Sequence, residues 1–343
     1  MVEDLVGRGL RVAEAEIGIV SNNPSLIYTP EYFEGLPHPA VVEGKGWLIQ
    51  SQTANFKIED VEYRPPPEMD SYFYILDYRG VEPYVSIGER EVMAVGDWSA
   101  MEREVSDRRY TLLGNQGLLF RYILVTLERR HGIYNFHACA LYDEKKNLML
   151  FALGERGSGK SALLLSALDK GIFKLFATEI VHVGIKDGDI IFYKGTVRNN
   201  VRAGHLIYDF PKISEKIGVK FSELKDPWGT KIQVDLSPFQ VEREVIINPR
   251  IIIVIPRIEE YNKICQYSLI KDYRKLKRIL VENVSDKIVT FTSMYEVIPI
   301  GALDDLKMRR KRIEFMDRFI KMANIEKVVS LFASPKNCLE GWL

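Results

Sequence analysis

Short apolar blocks separated by turn-forming residues run through the first hundred positions. Tyr72–Tyr78, Tyr84–Ile87 and Glu91–Val95 are β-branched and aromatic runs broken by Gly80, Pro83, Gly88 and Gly96, a pattern that predicts strands. Pro65-Pro66-Pro67 cannot donate ladder hydrogen bonds and belongs to a loop or a sheet edge. The pattern changes near Gly114. Gln116–Arg130 is apolar almost all round, which predicts a buried helix. Phe136–Tyr142 and Asn147–Leu153 read as strands joined by the charged turn Asp143–Lys146. Lys160–Lys170 carries Leu163, Leu164, Ala167 and Leu168 on one side and meets a helix stop at Gly171. Lys174–Val183 reads as a strand, and Asp187-Gly188 is a hairpin signal joining Val181–Ile185 to Ile190–Tyr193. Val245–Ile255 reads as two buried strands split by Asn248-Pro249. A helical tail is expected beyond them, clearest over Leu303–Met322. There Leu303, Leu306, Ile313, Met316 and Ile320 should face inward, with the basic run Lys307–Arg312 on the solvated face.

The chain has 343 residues, enough for about two domains at roughly 150 residues each. The change of pattern puts a β-rich N-terminal domain of unassigned role at 1–113 and the remainder, with its helical tail, at 114–343. An apolar share of 46% supports a sizeable core and excludes global disorder. Basic and acidic residues balance at 47 each, which argues against a nucleic-acid partner. The cysteines Cys139, Cys265 and Cys338 are widely spaced and odd in number, so buried reduced thiols are expected rather than disulfides. Acids at Glu3, Asp4, Glu14 and Glu16 are unlike a targeting segment, and no apolar run reaches the ~18–20 residues of a membrane span. A soluble cytoplasmic protein is the expectation.

One segment carries the chemistry. Gly154–Ser161, GERGSGKS, matches G-x-x-x-x-G-K-[ST], with an apolar strand entering and an apolar helix leaving. Glycines let consecutive backbone N–H groups converge on phosphate oxygens, and the following helix adds its positive end. Gly154, Glu155, Arg156, Gly157, Ser158, Gly159, Lys160, Ser161 and Ala162 are therefore the expected nucleotide contacts. Arg156 contributes through its backbone more than its side chain. Lys160 should reach the β- and γ-phosphates, and the Ser161 hydroxyl should ligate Mg²⁺. Ordinary P-loop ATPases add an acid at the tip of a neighbouring strand. Ile251–Ile255 ends instead in Pro256-Arg257, and neither N-K-x-D nor L-S-G-G-Q occurs.

Phe136–Val183 resembles the HPr kinase/phosphorylase group, which shares its P-loop architecture with phosphoenolpyruvate carboxykinases. His137-Ala138, Gly154–Ser161, Lys170-Gly171 and the Leu175–Ile180 strand fall in the group's order and spacing. Weaker similarity continues through Arg250–Arg257, so the likeness covers Gly114 to about Ser334. The resemblance implies an α/β fold with a mixed sheet, preceded here by a smaller β-rich domain. It also implies phosphoryl transfer from ATP or another nucleotide, with Mg²⁺, to a hydroxyl of a protein or small molecule. Relatives often assemble into oligomers, which makes a homo-oligomer the implied assembly.

The group closes its strand on paired acids, the first being the proposed base for the acceptor hydroxyl. This chain has Thr178-Glu179 there. Thr178 cannot accept a proton as a carboxylate would. Glu179 is left as a catalytic or Mg²⁺-holding carboxylate, with Asp187, Asp189, Asp209 and Asp235 as alternatives. His137 is a site candidate through its place before the P-loop, whereas His131 and His182 look structural. Arg198, Arg202 and Arg257 are candidates for offsetting phosphate charge. A nucleotide-dependent kinase is the leading reading. A P-loop regulatory or assembly protein that has lost catalysis is the alternative, and an ATPase driving conformational change is the third.

Overall fold

A computed structural model describes residues 3–26, 49–51, 69–114, 116–221, 224–259, 264–289, 293–300 and 303–343. The chain divides into two compact units. One comprises the chain up to Gly132 together with Lys287–Asp305; the other comprises Ile133–Asp286 and Leu306–Leu343. The boundary expected at 113/114 thus falls inside the first unit. Pro65-Pro66-Pro67 lies outside the described residues.

The first unit is built on a six-stranded mixed sheet, β1 (Glu3–Val12), β2 (Ala15–Ser21), β3 (Ile49–Ser51), β4 (Ser71–Asp77), β5 (Tyr84–Ile87) and β6 (Glu91–Gly96), in the order β3-β1-β2-β4-β6-β5. The runs expected at 72–78, 84–87 and 91–95 are β4, β5 and β6. The β1–β2 hairpin is not among the expected strands. Strand β4 is buried at six consecutive positions, as befits a parallel strand covered on both faces. Helix α1 (Trp98–Glu104) starts on Asp97, whose carboxylate accepts from Gly80 N and Ala100 N. Those two backbone donors hold its pKa below the ordinary carboxylate value. Helix α2 (Leu118–Thr126) is buried along its whole length and joins this sheet: Tyr122 packs on Phe73 and Thr126 Oγ1 lies 3.1 Å from Ser71 Oγ. That packing is why the unit extends past residue 113.

The second unit holds a nine-stranded mixed sheet with helices on both faces, the mixed α/β architecture expected. Its elements are β7 (Tyr134–Asp143), β8 (Leu148–Leu153), α3 (Lys160–Asp169), β9 (Lys174–Ala177), β10 (Ile180–Lys186), β11 (Asp189–Tyr193), β12 (Arg198–Arg202), α4 (Pro211–Lys216), β13 (Lys231–Asp235), β14 (Val245–Ile247), β15 (Arg250–Ile258), β16 (Gln266–Leu269), α5 (Tyr273–Val289), α6 (Leu306–Met322) and β17 (Asn324–Ala333). The sheet runs β14-β11-β10-β7-β8-β15-β17-β16, with β9 also on β7, while β12 and β13 form a separate pair. The period of two sorts the faces. Leu148, Leu150 and Ala152 of β8 meet Leu163, Leu164 and Leu168 of α3. Met149, Phe151 and Leu153 meet α5 and α6 through Leu280, Val284 and Phe319. Phe136, Phe151 and Phe192 interlock on that second face, with ring centroids 5.2 and 5.9 Å apart in edge-on contacts.

Three expectations change. Lys174–Val183 is interrupted at Thr178-Glu179, giving β9 and β10 on the same neighbour strand. The tail is not wholly helical: β17 returns to the sheet as a parallel partner of β15, a long-range pairing with no local signature. The buried face of α6 is Met308, Arg312, Phe315, Met316 and Phe319, so the basic run is not uniformly solvated. Leu306 and Ile313, expected inward, are 73% and 42% exposed. The Asp187-Gly188 turn has both residues at positive φ, 52° and 91°, as a two-residue hairpin requires. Cys139 and Cys338 are buried thiols, pushed up to about 12 and about 11 by burial, and Cys265 is half-buried.

His182 sits in this core, its Nδ1 2.6 Å from Asn135 Oδ1 and its Nε2 without a hydrogen-bond partner among the described residues. Burial pushes the imidazole down from 6.5 to about 4. The unfolded chain therefore binds the extra proton first, and stability falls as pH drops from about 6.5 toward 4. The steepest loss expected from one such group is about 1.4 kcal/mol per pH unit. Urea midpoints between pH 7 and 5 should fall less in His182→Gln than in the wild type. Parallel curves would count against this account.

Candidate functional site

Strand β8 delivers the chain into Gly154–Gly159, and α3 starts at Lys160. The turn uses positive φ at Gly154 (150°), Gly157 (88°) and Gly159 (96°). Gly159 is required twice over: besides its φ, a Cβ there would lie 2.5 Å from Ile258 Cβ. Strand β15 runs past Pro256 to Ile258, further than its apolar core suggested, and Ile258 N donates to Ser158 O at 3.0 Å. The loop is thus clipped to its parallel neighbour. Lys160 Nζ donates to Gly154 O at 2.6 Å and Glu155 O at 3.1 Å, drawing the ammonium over the start of the loop. Cys139 Sγ lies 3.5 Å from Lys160 O and ties β7 to the first residue of α3.

The strand interruption lies beside this helix start. Thr178 is 2% exposed, and its hydroxyl is 2.6 Å from Arg198 O and 2.9 Å from both Thr196 O and Thr196 Oγ1. Thr196 Oγ1 in turn accepts from Glu179 N and Ile180 N. Thr178 therefore braces β12, and Glu179, half-buried, is the carboxylate remaining at the break. From β12, Asn199 Oδ1 accepts the Ser161 hydroxyl at 3.1 Å, and its Nδ2 is 3.5 Å from Thr178 O. Asn199 joins the P-loop serine to the strand interruption, a role that only an unusual Asn-Asn pair in a strand could have signalled.

His137 lies on β7 opposite Ile180, and the neighbouring Ala138 N donates to Glu179 O. Its Nδ1 is 2.7 Å from Asp286 Oδ2 on α5, and Asn283 Nδ2 donates to its carbonyl at 2.8 Å. Asp286 is 149 residues away in sequence and no local pattern could have paired them. The alternative acids are engaged elsewhere: Asp187 in the hairpin turn, Asp189 with Asn248, Asp209 with His205, and Asp235 with Ser237 N. Arg198 is half-buried on β12. Arg202 is exposed and donates to Trp228 O, and Arg257 is exposed beside Glu259. Arg156 is exposed on the loop, while Ala162 is buried in the first turn of α3. In the first unit, His131 pairs with Asp70 at 2.8 Å.

Among the described residues no group of three His, Cys, Asp or Glu side chains is arranged to hold a metal ion, and no helix is long and apolar enough to cross a membrane. A magnesium ion carried by a nucleotide needs less than such a cage, because it draws on phosphates and water and takes one or two protein oxygens. The Ser161 hydroxyl fits that demand. Its hydrogen is directed at Asn199, which leaves its lone pairs available.

No family profile matches the sequence, and no curated protein matches it. Among solved structures the chain is similar to the Hpr(Ser) kinase/phosphatase from Coxiella burnetii, at 18% identity over 40% of this chain and 77% of that one, with a TM-score of 0.22.

Proposed function

We propose that the second unit binds a nucleoside phosphate in the Gly154–Gly159 loop and transfers a phosphoryl group to a hydroxyl. The observation that carries this reading is the loop itself: three glycines at positive φ, a lysine ammonium drawn over it, and a helix opening directly behind. Such a concavity of N–H groups backed by a helix N-terminus suits an anion. In this reading Lys160 and the loop amides from Gly154 to Ala162 hold the phosphates, and Ser161 with Glu179 would hold Mg²⁺. The metal supplies charge neutralisation at the transferring phosphoryl group. In this reading His137, oriented by Asp286, would accept the acceptor hydroxyl's proton, a task Thr178 cannot perform. The acceptor is a serine-type hydroxyl on a protein or a small molecule. In this proposal the first unit, which runs past residue 113 to Gly132 and takes in Lys287–Asp305, serves as an accessory domain.

A second reading has its own support. The residue standing where an acid is expected spends its hydroxyl on Thr196 and Arg198. That favours a nucleotide-binding regulatory protein without turnover. Calorimetry with ATP, ADP and GTP, with and without Mg²⁺, followed by labelled-nucleotide transfer to candidate acceptors, separates the two. Binding with transfer supports the kinase, binding with no transfer supports the regulatory protein, and flat traces at millimolar nucleotide sink both.

A further inference from the structure

We propose that Asn199 is a positioning residue for the metal: its Oδ1 accepts the hydrogen bond of the Ser161 hydroxyl and thereby aims that oxygen's lone pairs at a nucleotide-bound divalent cation. The inference rests on the nucleotide reading above. The contact is 3.1 Å between Ser161 Oγ and Asn199 Oδ1, and Asn199 is 3% exposed. The amide's other end fixes its orientation. Nδ2 faces the Thr178 carbonyl at 3.5 Å, and only nitrogen can donate there, so the oxygen faces Ser161.

A hydroxyl has one hydrogen and two lone pairs. With the hydrogen held by Asn199, both lone pairs remain for a cation and the proton is kept away from it. Ordinary P-loop proteins place an acid beside the metal-binding serine or threonine. Here a neutral amide occupies the equivalent relation to Ser161, and it comes from β12 rather than from the tip of the parallel strand β15. The scaffold behind it is firm. Thr178 Oγ1 bonds the carbonyl of Arg198, the residue before Asn199, and Asn199 pairs with Val234 in the β12–β13 ladder. A buried asparagine between two polar partners also explains why a strand whose other inward residue is Val201 tolerates a polar side chain here.

The chemical consequence is a metal site with one formal charge fewer than an acid would give. Affinity for the cation then depends on the nucleotide's own phosphates and on Glu179. Replacing the amide by a carboxylate should strengthen metal binding through the same serine. Removing the acceptor altogether should let the hydroxyl rotate, at a cost of the size seen when groups behind a metal ligand are lost.

The test uses the full chain and the fluorescent nucleotide mant-ADP, titrated with Mg²⁺ and, separately, in EDTA. In Asn199→Leu the Mg²⁺ concentration giving half of the metal-dependent change rises about 10- to 100-fold, the range typical for residues behind a metal ligand, while binding in EDTA moves far less. In Asn199→Asp the half-saturation shifts to lower Mg²⁺, and adding Ser161→Ala removes that shift. A wild-type Mg²⁺ response in Asn199→Leu, or an Asn199→Asp shift that survives Ser161→Ala, overturns the proposal. If Asn199→Leu fails to fold, the Asn199→Asp comparison with and without Ser161→Ala decides alone. Absence of mant-ADP binding under every condition fails the nucleotide reading and this inference together. Binding that is lost in Lys160→Ala but shows a metal response indifferent to Asn199 fails this inference only.

Discussion

Under the proposed phosphoryl transfer, Lys160→Ala is expected to weaken nucleotide binding and to slow transfer roughly 10²–10³-fold, the scale for deleting one preorganised donor at a site of developing negative charge. Two contributions combine. The ammonium donates to Gly154 O and Glu155 O, so its loss leaves loop carbonyls without that partner. In the proposed reading it is also the positive side chain that would lie beside the phosphates of a bound nucleotide. Lys160→Arg separates the two, because it keeps charge but replaces a compact ammonium with a planar fork that matches different geometry. Calorimetric affinity for ATP and ADP should fall steeply in Lys160→Ala and partly recover in Lys160→Arg, while the thermal midpoint stays near the wild type. Unchanged affinity in Lys160→Ala would remove the phosphate-binding role from this loop.

The local parts of this site were legible because local chemistry dictates them. Gly154–Ser161 needs glycine at positive φ and a helix directly behind, and both requirements are written in eight consecutive residues. The Asp187-Gly188 turn and the Asn248-Pro249 break were readable for the same reason. What escaped depends on distant pairing. Asp286 reaches His137 and Asn199 reaches Ser161 only after β7, α5, β12 and α3 are assembled. Strand β17 follows a strong helix and is identified as a strand only by its partner β15. In α6 the charge pattern misled: Arg312 is fully buried, whereas Leu306 at the helix start is exposed. A charged residue on a helix therefore does not by itself mark the solvent face.

Thr178→Asp restores the acid that the family resemblance expects at this position, yet it should destabilise the protein and bring no gain in transfer. The native hydroxyl is 2% exposed and works as both donor and acceptor: Thr196 Oγ1, which accepts two backbone N–H groups, can donate to it, and it can donate to Arg198 O at 2.6 Å. A carboxylate only accepts. It would face the carbonyls of Thr196 and Arg198 with no cation beside it among the contacts of Thr178. An unpaired buried charge of this kind costs several kcal/mol, on the order of 3–5. Thr178→Val keeps the shape and loses only the hydrogen bonds, a cost of about 1–3 kcal/mol. Urea unfolding at pH 7 should therefore rank wild type, Thr178→Val and Thr178→Asp in falling stability. The buried carboxyl's pKa is raised in the folded state, so its penalty belongs to high pH and shrinks as pH falls and the group protonates. The gap between the Asp and Val variants should accordingly narrow from pH 7 to pH 5. A Thr178→Asp protein of wild-type stability with faster transfer would mean that this side chain reaches the phosphate crevice, and the bracing role assigned to Thr178 would be wrong.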